Sequence, residues 1–177
     1  MNPLIKLLSC IILLVCTHAA HAQYCYFDDD SVDIYTRKHI RSSEFIIGTY
    51  PLHWSLKMEQ NGDKYYIYYH ILAFGKVDDL LPAGTKILVM LANDTIITLN
   101  ADEDVVPSYS IAQDKTRTML SIWDVRASVT PDVMKLFSAS PSEMARITIG
   151  SKEMNAVIKR RQGLKMMATA ACMIDVD

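Results

Sequence analysis

The side chains best suited to chemistry are few and scattered. Beyond the N-terminal segment the histidines are His39, His53 and His70, and none stands at the close spacing by which a helix or hairpin offers two ligands to zinc. Cys25 and Cys172 are isolated as well, so neither a Cys/His metal site nor a cofactor is assigned. Asn100, Asp102 and Asp104 alternate as calcium-loop ligands do, but Val105 stands where that loop needs glycine and Ile111 where it needs a bidentate glutamate. The acids between Asp28 and Asp33 read as a solvated loop. A Gly-x-Ser-x-Gly elbow, a phosphate-cradling glycine loop and a recognisable Cys/His pair are all missing, and 6 glycines leave few for such loops. No catalytic residue is assigned.

The most suggestive run is Tyr65-Tyr66-Ile67-Tyr68-Tyr69-His70. Tyrosines on an open sheet face offer flat apolar area that stacks on sugars or anchors a protein partner. Tyr66, Tyr68 and His70 fall on one side of an extended chain and are the candidate ligand-binding residues. A plainer account competes: tyrosine suits strands, and a central strand between two layers buries both faces for packing alone.

The N-terminus gives an address. After Lys6 the run from Leu7 to Cys16 is apolar and uncharged, and Ala20 and Ala22 supply the small residues a signal peptidase accepts, so cleavage after Ala22 is expected. The run is too short to cross a bilayer, which takes about 20 apolar residues. Val15 before Cys16 is a poor match to a lipoprotein cleavage site, so a cleaved signal is preferred to lipid attachment. Removing residues 1–22 leaves 155 residues, one domain's worth, with 17 basic against 20 acidic side chains. That balance gives no electrostatic reason for a nucleic-acid partner. Export permits a Cys25–Cys172 disulfide, which would stabilise by roughly 4 kcal/mol. Two free thiols, with Cys172 in a core, is the open alternative, since connectivity needs Cα distances.

These residues must be held by elements whose signals are local. Leu52 to Met58 alternates as a strand, Asn61-Gly62 is a hairpin dipeptide, and Tyr65 to Phe74 is its partner strand, placed centrally. Leu81-Pro82-Ala83-Gly84 turns into Lys86 to Leu91, and Asn93-Asp94 reverses into Thr95 to Leu99. That turn also explains the Asn93-Asp94-Thr95 sequon without glycosylation. Residues 100–117 lack an apolar period and read as a surface loop, before a strand from Met119 to Ala127. Thr130, Pro131 and Asp132 form a helix start, with Val133, Leu136 and Phe137 as its apolar face. Ala145 to Ile149 and Glu153 to Ile158 read as strands. Leu164, Met167, Ala168, Ala171 and Ile174 recur at helical spacing, with an alternating strand pattern as the competitor. Lys159-Arg160-Arg161 is a solvated helix start.

The order of an acidic lead, Leu81-Pro82-Ala83-Gly84-Thr85-Lys86, an apolar strand, a short turn and Thr95-Ile96-Ile97-Thr98-Leu99 resembles small exported proteins of Bacteroides-type bacteria. The likeness continues weakly from Met119 to Ile149. It implies an exported α+β domain and carries over no functional residue. The expected architecture is α+β: residues 23–177 form one domain of antiparallel hairpins in one or two sheets, with a short helix near 130–139 and a C-terminal helix near 160–174. The expected role is non-catalytic binding of a glycan or an envelope protein in the periplasm or outside the cell. A small hydrolase without a recognisable motif and a structural envelope component are the rivals.

Overall fold

In a computed structural model that describes Cys25 and residues 27–49, 52–112 and 117–174, Asn61-Gly62 closes a hairpin. Gly62 takes φ +62°, joining β3 (Leu52–Asn61) to β4 (Lys64–Phe74) with Asn61 opposite Lys64. The expected signal segment 1–22, including Cys16, lies outside the described residues.

Two antiparallel sheets carry the fold. The first has six strands in the order β1 (Asp29–Val32), β2 (His39–Thr49), β3, β4, β8 (Met119–Val129), β7 (Ser108–Ile111). The second has four, in the order β10 (Lys152–Val157), β9 (Ser142–Ile149), β5 (Lys86–Leu91), β6 (Ile96–Asn100). Helices α1 (Pro131–Ala139) and α2 (Arg160–Ile174) pack on each other, and α2 also rests on β9, β2 and β3. The chain is therefore α+β, built from antiparallel hairpins in two sheets with a short helix and a C-terminal one. No helix among the described residues is long and apolar enough to cross a membrane.

One face of each sheet feeds a shared core. Phe45, Leu56, Tyr69 and Val125 from the first sheet cluster with Ile87, Val89, Leu99 and Ile147 from the second. The β4–β5 connection is pinned to the first sheet by Ser121, whose hydroxyl donates to Gly75 O and accepts from Val77 N, each at 2.8 Å. The Trp123 indole donates to Asp79 O at 3.1 Å.

Four sequence expectations need correction. The acids between Asp28 and Asp33 are not simply a solvated loop, since Asp29 to Val32 form β1 and pair with β2, on which Ser43, Phe45 and Ile47 are buried. The surface loop at 100–117 contains edge strand β7, whose four residues are all exposed and so show no apolar period. On α1 the buried residues are Met134 and Phe137, while Leu136 is 42% exposed. On α2 the buried stripe is Gly163, Met166, Thr169, Ala170 and Met173, and Leu164 faces outward. The helix is turned so that its glycine, not its leucine, meets the strand beneath.

Candidate functional site

Strand β4 is central, between β3 and β8, yet only one of its faces is covered. Ile67, Tyr69, Ile71 and Ala73 are buried, whereas Tyr66, Tyr68, His70 and Leu72 are half-buried on the outer face. The second sheet covers only the inner side, so the two-sided burial that would explain the tyrosine run by packing does not occur. The three candidate residues therefore share one accessible surface.

Strand register decides their neighbours. Glu44, Lys57, Tyr68 and Arg126 stand opposite one another across β2, β3, β4 and β8. The next row is Ile46, Ser55, His70 and Asp124, and the row on the other side includes Glu59, Tyr66 and Ser128. Directly opposed side chains in an antiparallel pair come within contact distance. The first two rows, without Ile46, line an open groove of about 550 Å³ together with Glu103, and Tyr66 stands beside it.

Each cation lining the groove is held by a carboxylate. Lys57 Nζ lies 2.6 Å from Glu59 Oε2. His70 Nδ1 hydrogen-bonds Asp124 Oδ1 at 2.6 Å. Arg126 Nε donates to Asp102 Oδ2 at 2.9 Å and its Nη2 stands 4.0 Å from Glu103. The same cations lie over the tyrosines, Lys57 Nζ 5.4 Å from the Tyr68 ring centre and Arg126 Cζ 5.9 Å from that of Tyr66. The two rings are 6.2 Å apart and tilted by 43°. Tyr68 donates its hydroxyl to Glu59 Oε1 at 3.3 Å. Partial burial, reinforced by the Glu59 charge, pushes its phenol above the ordinary range, so it stays protonated as a donor.

Asp102 anchors the end of this surface. Its carboxylate accepts from Ser128 N and Ser128 Oγ, each at 2.8 Å, and from Arg126. Partial burial alone would raise its pKa, but these bonds outweigh burial and hold it below the ordinary carboxylate value. Arg126 is raised in turn by its bond to Asp102. Sequence reading weighed Asp102 only as a calcium-loop ligand and missed Glu44, Lys57 and Arg126. Alternation in β3 and β8 puts Lys57 and Arg126 on polar faces, but no local signal shows that those faces are one face.

Cys25 and Cys172 are joined in a disulfide with Cα atoms 5.7 Å apart. It ties the chain before β1 to α2, and Cys172 lines a second cleft of about 330 Å³ between β2 and α2. His39 is remote from His70 in the fold and pairs with Asp30. Among the described residues no group of three or more His, Cys, Asp or Glu side chains is placed to hold a metal ion. No protein-family model, curated protein or solved structure matches this chain.

Proposed function

We propose that the protein is an exported, non-catalytic domain that binds a glycan on the outer face of its six-stranded sheet. The observation that carries this reading is the pair Tyr66 and Tyr68, half-exposed on a central strand, with Tyr68 lining a groove rich in fixed donors and acceptors and Tyr66 beside it. Aromatic rings supply apolar area to the faces of sugar rings, while carboxylates and cations meet their hydroxyls. Export is supported by the Cys25–Cys172 bridge, which suits an oxidising compartment. It also accords with the resemblance to exported proteins of Bacteroides-type bacteria.

A thermal-shift screen of residues 23–177 against oligosaccharides and cell-envelope fragments tests the reading, because a ligand of the folded state raises its melting temperature. A shift with a glycan that disappears in Tyr66→Ala or Tyr68→Ala supports it. A shift with an envelope protein alone moves the role to protein binding, and no shift with anything moves it to a structural component.

A hydrolase is the second reading, favoured by one observation. Ser55, His70 and Asp124 stand in a single cross-strand row, and His70 engages Asp124 through Nδ1, leaving Nε2 as the atom available to accept a serine proton. Covalent labelling of wild type but not Ser55→Ala by a fluorophosphonate would bring this reading forward. Wild type that stays unlabelled removes it.

A further inference from the structure

The charges around the tyrosines narrow the glycan to a chemical class, an inference that rests on the binding reading above. Every cation lining the groove already has an anionic partner: Lys57 has Glu59, His70 has Asp124, and Arg126 has Asp102 with Glu103 beyond it. The carboxylates are in excess. Glu44 heads the Lys57–Tyr68–Arg126 row, is exposed, and forms no ion pair among the described residues. An anionic sugar would have to displace an existing carboxylate from a cation and accept repulsion from those that remain. A hydroxyl has no such obstacle, since it donates to a carboxylate without disturbing the pair.

The ring geometry adds a second restriction. Lys57 and Arg126 lie over the rings of Tyr68 and Tyr66, and the rings are tilted by 43° rather than coplanar. A flat crystalline polysaccharide face needs coplanar aromatics. Two tilted rings, Tyr68 in the groove and Tyr66 beside it, accept successive sugars of a single chain that twists between them.

We propose that the ligand is a single uncharged, hydroxyl-rich glycan chain, with successive units on Tyr66 and Tyr68 and hydroxyls donating to Glu44 and Glu103. Acidic glycans, whether uronate or sulfate, are excluded by the carboxylate excess.

The test is calorimetric titration of the disulfide-intact protein with cellohexaose, mannohexaose and N-acetylated chitohexaose, set against hexagalacturonate and a sulfated heparin-type hexasaccharide. At least one uncharged chain binds and both acidic ones do not. Glu44→Arg, at an exposed position where folding is not at issue, weakens the uncharged chain by about tenfold, the scale of one lost charge-assisted hydrogen bond. Binding confined to the acidic pair overturns the charge argument while leaving glycan binding in place. An uncharged chain held with unchanged affinity by both Glu44→Arg and Tyr68→Ala shows the site to be elsewhere. Binding by none of the five overturns the glycan reading itself, and this inference with it.

Discussion

Gly163 of α2 lies against the backbone carbonyl of Ser142 at the start of β9, so closely that a Cβ on Gly163 would stand 2.2 Å from the oxygen. In an isolated helix Gly→Ala is stabilising by about 1 kcal/mol. Here the contact is with backbone, which cannot swing away as a flexible side chain would. Gly163→Ala is therefore expected to reverse sign and destabilise by about 1–3 kcal/mol, the range for overpacking. Urea unfolding monitored by tryptophan fluorescence checks this, and a gain in stability would mean that α2 does not approach β9 this closely.

Tyr69 is buried and its hydroxyl has no hydrogen-bond partner among the described residues. Burial alone pushes its phenol far above the ordinary range. An unpaired buried hydroxyl costs about 1–3 kcal/mol in desolvation, so Tyr69→Phe is expected to leave the fold intact and raise its stability by about 1 kcal/mol. A loss of similar size in the same denaturation assay would show that the hydroxyl is satisfied in solution.

The Cys25–Cys172 bridge spans 147 residues of sequence. Closing so long a loop restricts the unfolded chain more than the folded one, by about 4–5 kcal/mol in the chain-entropy account. The Cys25→Ser/Cys172→Ser double variant should lose stability on that scale, as should wild type unfolded in reductant. Equal unfolding midpoints with and without reductant would contradict the bridge.

Asp102 gives a pH dependence of known sign. Its pKa is lowered on folding, so its stabilisation is fully present above the ordinary carboxylate value of 3.8 and is lost as pH falls through the depressed folded value. The stability difference between wild type and Asp102→Asn should be constant near neutrality and shrink below pH 3.8. Denaturant midpoints across an acid series measure it, and a difference that grows on acidification would refute the assignment.

Much of the fold was legible because its signals are local. Asn61-Gly62 needs only itself to turn, Thr130-Pro131 starts α1 from within one helical turn, and the alternation of β3, β4, β5 and β8 follows from side chains pointing to opposite faces at every step. Where local signals were weak, elements were missed. The exposed residues of β1 and β7 carry no apolar period, because edge strands need bury neither face. The helices were placed but their buried faces were offset, since which stripe is buried depends on the closest approach of a neighbour, as Gly163 does to Ser142.

By itself the sequence determined which segments extend, which coil, and that Tyr66, Tyr68 and His70 share a side. Tertiary structure decided the rest. Only sheet order leaves that side open to solvent, because the second sheet packs on the opposite face. Only strand register sets Lys57 and Arg126 on either side of Tyr68, and only a loop returning from β6 brings Asp102 to Arg126 and Ser128. These are relations between residues tens of positions apart, and no local propensity encodes a pairing whose partner lies outside its own window.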